Sequence, residues 1–201
     1  LNYNSSYLER MLEQMLDEGD SREVTRFLRA VDVRIDGFRV ERAPEWRGQR
    51  VFVRHKVSGK AYELRLSEES AGTQKLMGLA AYLMTALERG GTVVVDELDA
   101  KLHPKLLRYV ILLFKDPEVN KSGAQLIFSS QDVSTMRNDV FRRDEIWFAA
   151  RGEGEASQLW SLADIHEANG NLVSKNAAFD KQYLSGRYGA DPYLTRIEEW
   201  D

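Results

Sequence analysis

From Ser70 to Ala149, helical stretches alternate with short strands that have no polar face, an order that few folds accommodate. Leu76, Leu79, Ala80, Leu83 and Leu87 recur at helical spacing within the longest apolar run of the chain. Thr92-Val93-Val94-Val95-Asp96 then reads as a strand, residues 104–114 as a helix opened by Pro104, and residues 124–128 as a second strand. A short helix over 133–137 and a strand over 145–149 extend the alternation, and the tail adds a strand within 157–165 and a helix over 177–188. A strand that is apolar throughout needs cover on both faces. A parallel sheet between helices provides it, so the expected class is α/β.

Upstream the period changes. Residues 5–30 carry two helical faces, Leu8, Leu12, Met15 and Leu16, then Val24, Phe27, Leu28 and Val31, separated by Gly19-Asp20-Ser21. From 31 to 66 the apolar residues alternate: Val33, Ile35 and Val40, then Val51, Val53 and Val57, then Tyr62, Leu64 and Leu66 beyond a hairpin turn at Ser58-Gly59-Lys60. The expected division is a helical and antiparallel β lobe over 1–66 and the α/β core over 67–201.

Composition narrows the classes of function. The 201 residues include no cysteine, which excludes disulfides and thiolate metal sites and points to a reducing cytoplasm. A net charge of −4, from 28 basic against 32 acidic residues, argues against wholesale coating of nucleic acid, and a local basic patch stays open. The Arg-rich stretch 34–65 is interleaved with Asp and Glu, which favours a solvated sheet face over a DNA groove. The apolar run 76–87 falls short of the ~20 residues a bilayer demands, and the N-terminal residues have no export pattern, so no membrane association is expected. His55, His103 and His166 have no metal-ligand spacing.

Four segments carry polar chemistry. The strand at 92–95 ends in Asp96-Glu97, and an acid at the C-terminal end of a buried parallel strand lies where such sheets place ligands. In phosphoryl transfer the first acid suits Mg2+ and the second suits orientation of an attacking water, although a solvated acidic turn has the same pattern. Glu69-Ser70-Ala71-Gly72-Thr73-Gln74-Lys75 directly precedes the long apolar helix, so its backbone N–H groups and the helix dipole form an anion site; an N-cap serine is the plainer alternative. Leu98-Asp99-Ala100-Lys101-Leu102-His103-Pro104 turns into the next helix, and Leu126-Ile127-Phe128-Ser129-Ser130-Gln131-Asp132 ends the second strand in polar residues. All four would gather at one edge of the sheet.

This order resembles the C-terminal part of an ABC-type ATPase head with a P-loop NTPase core. It is most similar to the AAA-15/AAA-21-like bacterial ATPases, related to overcoming-lysogenization-defect and SMC-type heads. The resemblance runs from about Glu63 to Tyr193 and includes Arg142-Arg143-Asp144-Glu145-Ile146-Trp147-Phe148 and Tyr183-Leu184-Ser185-Gly186-Arg187-Tyr188-Gly189-Ala190. It implies that Ser70, Gly72 and Thr73 form the signature loop, which in such heads contacts ATP bound to the opposite protomer. It further implies that Asp96 holds Mg2+, that Glu97 is the catalytic base, and that Asp99 to His103 form a loop across a homodimer interface. Gln131 takes the place where these heads usually carry a switch histidine, and glutamine donates a hydrogen bond without carrying a proton charge.

No Gly-x-x-x-x-Gly-Lys-Ser/Thr loop occurs in the chain. Ser58-Gly59-Lys60-Ala61 has Arg54 in place of the first glycine and Ala61 in place of the hydroxyl. The expectation is therefore a C-terminal fragment whose P-loop segment precedes Leu1, inactive by itself. Three functions compete. The first is an ATPase that dimerises around ATP to control an effector such as a nuclease or toxin, with phage defence as the setting implied by resemblance. The second is a nucleotide-gated scaffold with little hydrolysis, and the third a metal-dependent nuclease using Asp96, Glu97 and Asp99.

Overall fold

The computed structural model describes residues 21–31, 35–42, 49–151 and 156–190. The first helical face expected within 5–30, from Leu8 to Leu16, lies outside the described residues. The chain divides into two compact units, one ending at Gln131 and one beginning at Asp132.

The first unit opens with helix α1 (Ser21–Val31), whose buried face is Val24, Phe27 and Leu28. Strands β1 (Ile35–Arg42), β2 (Gln49–Val57) and β3 (Lys60–Arg65) form an antiparallel sheet in that order. Val57 pairs with Lys60, leaving Ser58 and Gly59 as a two-residue turn with φ of 48° and 80°. Positive φ at both positions matches the right-handed twist of the flanking strands, which is why a Ser-Gly pair sits there. Val51 and Val53 are buried as the alternation predicts, whereas Tyr62 and Leu64 are 52% and 43% exposed. The reason is position: α1 packs on β1, at one edge of the sheet, and β3 lies at the other.

Helix α2 (Ala71–Arg89), strand β4 (Thr92–Val95), helix α3 (Pro104–Lys115) and strand β5 (Gln125–Phe128) complete this unit. β4 and β5 pair in parallel, with Val93 opposite Leu126 and Val94 opposite Ile127. Val93 packs among Ala86 and Leu87 of α2 and Leu113 and Phe114 of α3, so both helices cover one face. On the other face Val94 and Ile127 are 68% and 57% exposed, so the expected burial on both faces holds, among the described residues, for one. Asp96 and Glu97 lie beyond the last residue of β4, at the C-terminal edge of this pair.

The second unit has its own antiparallel pair of strands. Strand β6 (Trp147–Arg151) pairs antiparallel with β7 (Ser157–Ser161), and Phe148, Leu162, Val173, Phe179 and Tyr188 form its core. The expected helix over 133–137 is a run of turns instead. The Asp132 carboxylate accepts from the Ser134 backbone N–H and hydroxyl, a local alternative to helical bonding. Helix α4 (Phe179–Leu184) is shorter than expected, with Gly186 at φ 77° just after it. Among the described residues no helix is long and apolar enough to cross a membrane.

Candidate active site

Ser70 is the N-cap of α2. Its Oγ accepts from the Thr73 backbone N–H at 3.1 Å and lies 2.8 Å from Thr73 Oγ1, so the two hydroxyls meet at the helix N-terminus. The anion-binding and capping readings of this serine therefore describe one geometry. A cap leaves the other first-turn N–H groups facing outward at the positive end of the dipole. One residue earlier, Glu69 is fixed from the antiparallel sheet: the His55 imidazole on β2 donates to its Oε1 at 2.5 Å, and both side chains are nearly buried.

Asp96 and Glu97 share one organiser, Ser129, just beyond β5. The Ser129 hydroxyl donates to Asp96 Oδ1 at 2.5 Å and accepts from the Glu97 backbone N–H at 2.8 Å. The Leu98 N–H donates to Ser129 O at 3.0 Å. Glu97 has a φ of 50°, so strand alternation stops at Val95 and no longer governs which way the two acids point. A left-handed glutamate is held by its surroundings, a condition that clusters at functional turns.

The turn over 97–101 lies against the N-terminus of α2. A Cβ added to Gly72 would meet Lys101 O at 2.8 Å, so only glycine allows this approach. Lys75, in the first turns of α2, is 6% exposed and donates from Nζ to Glu97 O at 2.6 Å and to Ala100 O at 2.9 Å. Burial lowers its pKa below the ordinary lysine value, opposed by the nearby charges of Asp99 and Glu97 and reinforced by Lys101. Asp99 Oδ2 accepts weakly from the Gln131 backbone N–H at 3.3 Å, while Asp99 Oδ1 is buried with no partner among the described residues. His103 caps α3, its Nδ1 accepting from the Lys105 N–H at 3.1 Å.

The candidate site residues from the sequence thus lie on one edge of the first unit: Ser70, Gly72 and Thr73 at the start of α2, Asp96, Glu97, Asp99 and His103 after β4, and Gln131 after β5. Lys75 and Ser129 were not singled out. The signals available were a lysine placed directly before the apolar run of α2 and a Ser-Ser pair ending an apolar strand.

The donor set bears on Mg2+. Asp96 is exposed, and one of its oxygens is engaged by Ser129. Among the described residues no three ligating side chains converge. A single oriented carboxylate fits Mg2+, which is commonly held by one or two carboxylates together with substrate phosphates.

Over residues 2–137 the chain matches the AAA_21 family of AAA domains, whose description carries a provisional link to the AbiEii toxin and a type IV toxin–antitoxin system. The chain belongs to this family. The AAA_21 match spans the antiparallel lobe as well as the site, so it begins well before Glu63, and it ends at Arg137, ahead of the tail segments. Among solved structures, one described as structural biochemistry of ATP-driven dimerization and DNA-stimulated activation of SMC ATPases is 17% identical, with a TM-score of 0.52, over 75% of this chain and 88% of that one. An Smc head domain with a coiled coil and joint from Pyrococcus yayanosii is 18% identical, with a TM-score of 0.52, over 76% of this chain; this chain covers 28% of that structure. The AAA_21 chain therefore has the fold of an SMC ATPase head, an ABC-type P-loop NTPase fold. No curated protein sequence matches it.

Proposed function

We propose that the first unit is the catalytic edge of an ATPase head that closes, as a homodimer, around Mg·ATP. The observation that carries this reading is the contact between the α2 N-terminus and the turn after β4. It brings a helix N-terminus and two carboxylates of different surroundings onto one sheet edge. Asp96, oriented by Ser129, would hold Mg2+, which would offset negative charge on the phosphates. Glu97 accepts a proton from, and orients, the attacking water. Ser70, Gly72 and Thr73 present backbone N–H groups and hydroxyls to phosphate held by the other copy, and Asp99 and His103 lie along that interface. The phosphate-cradling Gly-x-x-x-x-Gly-Lys-Ser/Thr loop is not among these 201 residues, so in this reading it comes from sequence outside them. In the proposed division, residues 1–66 form the lobe and 67–201 the core. We further propose that the head controls an effector in phage defence, in the cytoplasm; the provisional toxin–antitoxin link in the family's description supports the effector part of this reading.

Gln131 favours a second reading, a nucleotide-gated scaffold with slow turnover. Its backbone reaches Asp99 at the site, yet its amide has no titratable proton to give. Dimerisation tests the shared part of both readings. With Mg·ATP, full-length Glu97→Gln is expected to sediment as a dimer, and the same protein also carrying Ser70→Arg as a monomer. A dimer in both would remove the α2 N-terminus from the composite site, and a monomer in both would overturn the dimer that the two readings share.

A further inference from the structure

We propose that Lys75 is a positioning residue for Glu97: its ammonium clamps the turn 97–101 onto α2 and so sets the direction of the Glu97 side chain. The inference rests on the reading of Glu97 given above. Among the described residues Lys75 is the most buried charged residue, 6% exposed, and its hydrogen bonds go to the backbone carbonyls of Glu97 and Ala100.

The turn it holds has two left-handed residues that are not glycine, Glu97 at φ 50° and Lys101 at φ 64°. Such conformations persist only where neighbouring structure over-determines them. Ser129 fixes the turn from one side through the Glu97 and Leu98 N–H groups, and Gly72 admits Lys101 O from the other. The Glu97 carbonyl accepts from the Ala100 N–H within the turn at 3.1 Å and from the Lys75 ammonium at 2.6 Å, and of these two donors Lys75 is the one that ties it to α2. Fixing both the N–H and the C=O of one residue fixes its backbone, and hence the origin of its side chain. Nothing in this role requires Lys75 to touch ATP or water.

A misplacement of about 1 Å in a catalytic group costs on the order of 100-fold in rate. Lys75→Met keeps the buried aliphatic stem and removes the donor. In the full-length protein it is expected to lower kcat by about 10- to 100-fold while KM for Mg·ATP changes by less than about threefold. Lys75→Arg, which retains donors and charge, is expected to recover at least part of kcat. An unchanged kcat in Lys75→Met overturns the proposal, as does a loss shared equally between kcat and KM. If Lys75→Met does not fold, judged by circular dichroism and thermal melting, Lys75→Arg carries the test through the same split.

A second readout separates this claim from the ATPase reading. Amide hydrogen exchange at Leu98, Ala100 and Leu102 is expected to rise about tenfold or more in Lys75→Met, with β4 unchanged. If the wild-type protein hydrolyses no ATP but this exchange rises, the ATPase reading fails and the clamp stands. Unchanged exchange overturns the clamp whatever the turnover.

Discussion

The core of the second unit and the polar edge of the first are held by different forces. In the second unit the Phe148 ring lies 5.3 Å from Tyr188, 5.7 Å from Tyr183 and 6.1 Å from Trp160, over fully buried Leu162 and Phe179. Many small dispersion contacts share the load there. At the edge of the first unit Ser70, Asp96, Glu97 and Gln131 are exposed, and the structure beneath them is fixed by Lys75 donating to two backbone carbonyls, by Ser129 accepting from backbone N–H groups and by the His55–Glu69 contact. A surface that receives a charged ligand stays open to water. Its geometry is therefore set from below by few polar contacts.

That contrast is open to attack at both ends. Phe148→Ala should cost about 3–5 kcal/mol in denaturant unfolding, the range for a buried phenylalanine. A cost below about 1 kcal/mol would show that the ring cluster is not what holds the second unit. His55→Ala should cost less, about 1–3 kcal/mol, because the nearly buried Glu69 carboxylate is left without its donor. His55→Gln, which can still donate, should recover part of this. Equal losses in the two variants would mean that packing, not the hydrogen bond, holds Glu69.

The smallest effect is a pH dependence in the second unit. Tyr188 is buried and donates to Gln182 Oε1 at 2.7 Å. Burial pushes its pKa up to about 12; Arg187 opposes the rise, and Glu167 and Asp180 add to it. The folded value lies above the unfolded one of about 10, so the stabilisation of the neutral phenol is complete below about pH 10 and disappears as pH rises through about 12. Unfolding free energies across that window should fall by about 1–2 kcal/mol more in the wild type than in Tyr188→Phe. Parallel curves would place Tyr188 in contact with water.

Much of this was legible in the residues. The Ser58-Gly59 turn announced its hairpin and the Val93-Val94-Val95 run its parallel strand, because each is a local pattern; Ser70 and Asp96-Glu97 announced a helix start and a strand end, which the structure has there. Burial was less legible. Tyr62, Leu64, Val94 and Ile127 alternate or cluster as core residues do, but whether a face is covered depends on where α1, α2 and α3 pack. The stretch 133–137 has helical spacing, yet the Asp132 and Ser134 side chains bond locally and replace the helix with turns. Lys75 and Ser129 were the hardest to see. Their decisive contacts reach 22 to 33 residues along the chain, two of them to backbone carbonyls and one to a backbone N–H, which leave no periodic trace.

The central claim is that Asp96 and Glu97, held beside the α2 N-terminus, perform phosphoryl transfer. Mg·ATP turnover by the full-length protein, measured beside Glu97→Gln, tests it most directly. The account predicts measurable turnover in the wild type and a loss of about 100-fold or more in Glu97→Gln, the scale of a missing general base. Equal turnover in the two proteins would contradict it and take Glu97 out of the mechanism.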